Sequence, residues 1–428
     1  MKVLWLCNIM LPAYAKAHGL PFSVREGWLS GCFDRIVKGG DEDNKIELGV
    51  CFPADGEIAS SSEVLEGVTY YGFKEDLDHP ENYDGTVENR FHVILDDFKP
   101  DILHIFGTEF PHTLAMLRAF GNPQKTLLGI QGVCTEIAKE YMAHIPEEVQ
   151  NAATFRDRLK KDSLLQQQEK YRIRGEHERE SIMLTGNVTG RTAFDKEATG
   201  SINPSARYFA MNETMRPCFY EGRWDPANAE AHSIFLSQGD YPLKGFHFVL
   251  EAMPAVLEKY PDAHLYVAGN NIIGKGNSKW PYFMRASAYG KYIKKLIAKN
   301  KLKKKVTMLG SLDAEDMKER FLKSNVFVCP SIVENSPNSL GEAMLLGMPV
   351  VAANAGGIPS MLLNNKEGIL FEKADSAKLA ESILQIFDDP LIAGVYADNA
   401  RIRARFTHDA DTNYRRLIEI YKAICQEK

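Results

Sequence analysis

Short, unbroken apolar runs alternate with longer amphipathic stretches along most of this chain. Lys2 to Cys7 (KVLWLC) reads as a buried strand, and an amphipathic helix follows from Trp28 to about Lys38. Ile46 to Phe52 is another apolar run, Gly67 to Phe73 a strand, and Val87 to Phe98 a helix. PDILHIFG, residues 100–107, is a strand opened by proline and closed by glycine; a helix (HTLAMLRAF) and the strand Thr126 to Gln131 come next. Alternation of this kind predicts a mostly parallel sheet covered by helices on both faces. Residues 135–180 differ, being rich in Glu, Lys, Arg and Gln with apolar positions at helical spacing. SIMLTGNVTGRTAFDK and RYFAMNETMRPCFY then read as strands with turns, and RWDPANAEAH as a linker.

The rhythm restarts beyond the linker. Strands are expected at Ser233 to Ser237, Ala263 to Ala268, Val306 to Leu309, Val326 to Cys329 and Pro349 to Ala352, with a helix from Gly245 to Tyr260. The fold class that follows is α/β: two Rossmann-like domains, residues 1–228 and 229–395, facing a central cleft. A helical segment, 396–428, is placed to pack back on the first domain. Ligands of open α/β sheets bind outside the carboxyl ends of the strands, which locates the chemistry in that cleft.

Composition narrows the classes. A chain of 428 residues with 44% hydrophobic and 25% charged content is globular and long enough for two cores. A net charge of -6 excludes a dedicated nucleic-acid binder, which needs a basic surface. One local exception is KYIKKLIAKNKLKKK, residues 291–305, read as a solvated helix face or as a surface for phosphates or an anionic membrane. The 7 cysteines form no Cys-x-x-Cys pair, so reduced, mostly buried thiols and no metal site are expected. The first apolar run is too short for a signal sequence and nothing is long enough to span a bilayer; the expected location is the cytoplasm, with the inner face of the membrane as a peripheral option. Oligomeric state is not readable.

No G-x-G-x-x-G follows the first strand, which argues against a dinucleotide enzyme. AGNNIIGKG has Walker A spacing, but Gly276 stands where a hydroxyl must meet magnesium. The informative stretch is VENSPNSLGEAMLLGMPVVAANAGGIP, residues 333–359. Ser336 suits an N-cap, Pro337 a first helical position and Gly347 a C-terminal stop. Amides at that helix start suit a diphosphate, while Glu334 and Glu342 suit sugar hydroxyls on either side of it. The plainer reading is a capping box, Ser339-Leu340-Gly341-Glu342, with a favourable helix dipole.

PSIVENSPNSLGEAMLLGMPVVAANAGGIPSML resembles the Glu-x7-Glu region of glycosyltransferase family 4, a GT-B family. Lys244-Gly245 resembles its Lys-Gly turn and VTMLGSLDAEDM its base-binding segment, while PDILHIFGT, Glu26-Gly27-Trp28 and the Gly-Arg-Thr at 190–192 are similar to first-domain pieces of a bacterial polysaccharide branch. The resemblance implies that Glu342 binds the donor ribose and that Glu334 contacts the transferred sugar. It implies that Lys244 neutralises the diphosphate, assisted by amides near Asn338, Ser339 and Leu340. Gly310, Ser311 and Leu312 would hold the base, and Gly27 would let a first-domain loop approach the phosphates. Metal and cofactor are not needed, because lysine and helix amides do the neutralising. Three departures stand out. Gln131 replaces a common His, Gln238 lies where an Arg is usual, with Arg191 as a substitute cation, and Glu26 replaces a glycine. On the acceptor side His18 and His112 are candidates, whereas His104 sits in an apolar strand and reads as a core residue.

The expected activity is retaining transfer of a hexosyl group from a nucleotide-diphospho donor, UDP-linked ahead of GDP-linked. The acceptor expected is a saccharide or lipid-linked saccharide in bacterial surface polysaccharide synthesis. Two alternatives stay open: a GT-B nucleotide-sugar epimerase or hydrolase, and a non-catalytic sugar-nucleotide or glycan-binding protein.

Overall fold

The computed structural model describes residues 1–21, 27–38, 45–274 and 281–426. They form two compact units. Unit 1 comprises Met1–Ile137, Lys170–Arg216 and Thr407–Lys428, and unit 2 comprises Ala138–Glu169 and Pro217–Phe406.

Unit 1 is built on eight strands: β1 (Lys2–Leu6), β2 (Glu47–Pro53), β3 (Ser62–Leu65), β4 (Val68–Phe73), β5 (Ile102–Phe106), β6 (Thr126–Gly129), β7 (Asn187–Gly190) and β8 (Arg207–Ala210). Their order is β3-β4-β2-β1-β5-β6-β7-β8. Every pairing is parallel except β3 with β4, an antiparallel hairpin at one edge. The central strand β1 shows why the apolar runs are continuous: Val3 and Trp5 belong to one core, Leu4 and Leu6 to the other. Helices Gly27–Val37 and Ala410–Gln426 contribute to the first core, and helices Thr86–Phe98 and His112–Phe120 to the second.

Unit 2 carries β9 (Ser233–Leu236), β10 (His264–Ala268), β11 (Val306–Gly310), β12 (Val326–Cys329), β13 (Val350–Asn354) and β14 (Ile369–Glu372). The order β11-β10-β9-β12-β13-β14 is wholly parallel and reverses direction between β9 and β12. Those two strands flank the topological switch point, where a doubly wound sheet opens a crevice. Structural similarity, given below, identifies the pair of α/β units as a GT-B fold.

The unit bounds differ from the contiguous segments expected. Residues 138–169 pack within unit 2: Ala143 O accepts from His247 at 3.0 Å, the Ala288 amide donates to Asp157 at 2.9 Å, and Lys373 pairs with Glu140 at 2.9 Å. RWDPANAEAH is pinned to unit 2 rather than free, because Trp224 is buried and its Nε1 donates to Ser324 O at 2.7 Å. The last segment divides, with helix Pro390–Thr407 largely in unit 2 and helix Ala410–Gln426 in unit 1. Among the described residues no helix is long and apolar enough to cross a membrane.

The last helix is locked by polar chemistry in a dry place. Tyr421 is fully buried; its hydroxyl accepts from Trp5 Nε1 at 2.9 Å and shares a hydrogen bond with His104 Nδ1 at 2.6 Å. Tyr421→Phe is expected to orphan both groups, costing about 1–3 kcal/mol for each, read as a lower thermal midpoint. Burial depresses several histidines, most of all His104, to about 3, and His247 and His408, each to about 4. Each is therefore neutral when folded but titrates near 6.5 when unfolded. Below that value the unfolded chain binds more protons, so stability is full above about pH 6.5 and is lost toward pH 4. Melting temperature measured across that window should fall as the pH is lowered, stability being lost at up to about 1.4 kcal/mol per pH unit for each imidazole.

Candidate functional site

The loops leaving β9 and β12 meet at the switch point of unit 2. After β9 a 3-10 turn, Pro242–Lys244, ends at Gly245 with φ +69°, where a Cβ would lie 2.1 Å from Pro330 O. Only glycine lets the two loops touch at that position. The Ile332 amide then donates to Leu243 O at 2.9 Å, tying the second loop to the first. This contact brings Lys244 Nζ onto the Glu334 carboxylate in an ion pair, with the side chains 20% and 14% exposed. Burial disfavours the ammonium, but Glu334 and Tyr241 outweigh it and hold Lys244 above the ordinary lysine value. The lysine therefore stays cationic at any physiological pH.

Glu334 is fixed from behind by Gly356 and Gly357. Gly357 N donates to Glu334 O at 2.8 Å, and a Cβ on Gly356, whose φ is +52°, would sit 2.1 Å from that oxygen. The helix Asn338–Leu346 starts one residue later than the sequence suggests. Pro337 is its N-cap, without a side-chain cap hydrogen bond, so neither the Ser336 cap nor the capping box at Ser339 forms. The first-turn amides, Asn338 and Ser339 among them, have no carbonyl one turn back within the helix. Leu340 N donates to Pro337 O at 3.0 Å. Glu342 lies on the buried face of this helix, 3% exposed, with Asn335 nearby in sequence at 5%. Gly347 ends the helix with φ +68°, as its position in the sequence implies.

Other donor-side candidates lie at the carboxyl ends of neighbouring strands. Gln238 and Asp240 both approach Gly269, the residue after β10, and Gly269 N donates to Gly310 O at 2.9 Å. Gly310 has φ +82° with open space where a Cβ would be; Ser311 and Leu312 follow it, ahead of helix Ala314–Lys323. Asn271 folds its own loop by accepting from Gly274 N at 2.7 Å, while Lys275 and Gly276 lie outside the described residues. Asp240 went unnoticed in the sequence, although its Oδ1 is buried without a hydrogen-bond partner.

Two further candidates, Gln131 and Arg191, belong to unit 1, where they form a separate cluster. Arg191 and Glu213 form an ion pair, each side chain 8% exposed. Gln131 Nε2 donates to Glu213 at 2.8 Å, and Arg191 donates to Gln131 Oε1 at 3.4 Å and to Ile130 O at 3.2 Å. Burial lowers Arg191 to about 10, yet it remains charged, with its charge met by Glu213. The cluster lines a cavity at the ends of β6 and β7 with His104, Thr189 and Asn413. Arg191 is thus committed within unit 1 rather than standing as a loose cation. Glu213, the residue that commits it, sits in the sequence MNETM, which gives no local sign of pairing.

The two histidines proposed for the acceptor are both engaged. His112 is 2% exposed, bonded to Glu75 at 2.5 Å and stacked on Phe110. His18 contacts Glu63 at 2.9 Å and Tyr14 O at 2.9 Å. His104 is a core residue, though its Nε2 has no hydrogen-bond partner. Gly27 makes room for a side chain: a Cβ there would meet Arg216 Cγ at 2.1 Å. Glu26 lies outside the described residues. Among the described residues no three His, Cys, Asp or Glu side chains are grouped to hold a metal ion.

Comparison with known proteins matches residues 223–404 to the family Glycosyl transferases group 1. Phosphatidyl-myo-inositol mannosyltransferase of Mycobacterium leprae is 27% identical over 164 residues, 38% of this chain and 39% of that protein. The matches to the curated relatives take in less than half of each one's length. Among solved structures, sucrose-phosphate synthase from Thermosynechococcus elongatus superposes with a TM-score of 0.70 over 99% of both chains at 15% identity. Anabaena HepE in complex with UDP-glucose gives 0.64 over 99% of this chain and 100% of its own, at 16% identity.

Gly356→Ala should force the Glu334 loop to move, since both the left-handed backbone and the contact with Glu334 O oppose a methyl group. The expected cost is about 2 kcal/mol or more in unit 2, seen as a lowered thermal midpoint. Gly394→Ala, inside the helix Pro390–Thr407 where a Cβ meets nothing within 4 Å, serves as the comparison and should hold or raise the midpoint.

Proposed function

We propose that this protein is a retaining, metal-independent glycosyltransferase that moves a hexosyl group from a nucleoside-diphospho-sugar to a hydroxyl of a saccharide or lipid-linked saccharide. One observation carries this reading: a partly buried lysine and carboxylate held together at the switch point of unit 2, beside a helix start whose amides lack internal acceptors. Lys244 supplies positive charge for the departing diphosphate, and the Asn338 and Ser339 amides supply aligned dipoles. Glu334 accepts hydroxyls of the sugar next to that diphosphate, and Glu342 those of the ribose. The similarity of residues 223–404 to group 1 glycosyl transferases supports the assignment, as does the shared fold of HepE, which binds UDP-glucose.

The catalytic steps follow from what the residues can hold. Cleavage of the bond between anomeric carbon and phosphate oxygen leaves an oxocarbenium-like centre and a charged leaving group, both better stabilised by fixed charges than by water. Gln131 cannot titrate, and its amide is engaged with Glu213 and Arg191. The acceptor proton therefore passes to the departing phosphate oxygen, on the face where the acceptor oxygen attacks, and configuration is retained. The acceptor is assigned to unit 1, and the setting to bacterial surface polysaccharide synthesis at the cytoplasmic face.

Calorimetric titration with UDP and with GDP, repeated on Glu342→Ala, tests the donor assignment. One nucleotide, UDP ahead of GDP, should bind, and the substitution should weaken it by about tenfold or more, the worth of a hydrogen bond to a charged group. Binding of no nucleotide of any base would sink the proposal. Turnover of the matching sugar donor without an acceptor would select the epimerase or hydrolase alternative, and binding without turnover the non-catalytic one.

A further inference from the structure

The helix Pro390–Thr407 reverses the usual order of inside and outside. Its buried face is Ala393, Tyr396, Ala397, Ala400 and Ala404. Its exposed large apolar residues are Leu391, Val395, Ile402 and Phe406, at 85%, 52%, 71% and 80% exposure. Spacings of four, seven and four place those four on one stripe of the helix. Scattered apolar residues on a surface need no account, but an aligned stripe of large ones does.

The charges beside the stripe decide what covers it. Asp398 is paired with Arg223 at 2.6 Å and Glu367 with Arg403 at 3.2 Å. Asp388 pairs with Lys259 at 2.5 Å, and Asp389 caps the helix by accepting from Ile392 N at 3.0 Å. Arg401 and Arg405 meet backbone carbonyls instead, Gly222 O at 3.1 Å and Tyr220 O at 3.4 Å, and Arg401 Nη1 is buried with no partner. The charge left over along the stripe is therefore positive.

The helix sits at the N-terminal ends of the unit 2 strands. Asn399 donates to Lys366 O, in the turn before β14, at 2.9 Å, and Arg401 packs on Gly347, just before β13. In a parallel sheet all strands begin at one end, so Lys301, Lys303 and Lys304, which lead into β11, belong to the same end. All three are exposed. Part of the basic run 291–305 thus lies on the same end of unit 2 as the apolar stripe, toward the opposite edge of the sheet, and away from the Lys244–Glu334 site.

We propose that this end of unit 2 docks on an anionic phospholipid surface, with Leu391, Val395, Ile402 and Phe406 entering the boundary between headgroups and acyl chains. Arg401, Arg405 and the three lysines meet the headgroup phosphates. A second copy fits less well: antiparallel two-fold pairing on the stripe would align both copies' Arg401 and Arg405 along one flank. The inference does not depend on the glycosyl-transfer reading.

The full chain is tested by flotation with phosphatidylcholine vesicles, with and without phosphatidylglycerol. Wild type should float with the anionic vesicles and not with the neutral ones. Ile402→Asp with Phe406→Asp should cut binding by about tenfold or more, and Lys303→Glu with Lys304→Glu by about tenfold. Both variants should keep the wild-type circular dichroism and melting temperature, since the altered side chains are exposed. Failure of wild type to bind, or undiminished binding by the Ile402/Phe406 variant, overturns the proposal. So does light scattering showing a wild-type dimer that the same variant converts to a monomer, which would assign the stripe to a second copy.

Discussion

An ammonium drawn partly out of water needs a carboxylate beside it, and unit 2 is arranged around that requirement. Lys244 and Glu334 come from loops about ninety residues apart in the chain, so the pair exists only if β9 and β12 are neighbours. Three close backbone approaches serve it: Gly245 against Pro330, Ile332 against Leu243, and Gly356-Gly357 against Glu334. None of these contacts contributes much apolar burial. They fix two charges where a desolvated interaction is strong and a misplaced one is costly. The small and left-handed residues of this loop cluster make sense as spacing elements for one ion pair.

Unit 1 solves a similar problem differently. Arg191, Glu213 and Gln131 bond to one another in a cavity, with Arg191 Nε and Glu213 Oε2 left buried without a partner, and the Glu213 carbonyl also accepts from His408 at 2.8 Å. Such a cluster carries little net charge to offer an anion. The Lys244–Glu334 pair of unit 2 is neutral overall as well, and what unit 2 adds at the crevice end of its sheet is a helix start whose first-turn amides have no acceptor within the helix.

Much of this organisation was legible from residue order. Continuous apolar runs such as KVLWLC and DILHIF became central strands because both sheet faces are covered. The loop at 333–359 was recognisable because turn residues, a helix stop and carboxylates fall in a fixed order. What escaped has physical reasons. Ser62–Leu65 is a polar edge strand and Ile369–Glu372 a strand of four, each too short for periodicity to register. The Arg191–Glu213 pair, the Trp5–Tyr421–His104 link and the docking of 138–169 on His247 are contacts between distant segments, and no local pattern encodes them. The helix starting at Asn338 was misplaced by one residue because both Ser336 and Pro337 can end an extended segment.

The chain passes from one unit to the other at residues 137/138, 169/170, 216/217 and 406/407. Tyr421, near its very end, supplies the hydroxyl that seals Trp5, near its beginning. During synthesis, then, unit 1 cannot close its core while its residues are being made. It must wait with one face of β1 only partly covered, by helix Gly27–Val37, until helix Ala410–Gln426 has emerged, after the segments of unit 2. The usual order of maturation, amino-terminal domain first, is reversed here by topology. The nascent first half spends that interval as the part of the protein most in need of shelter.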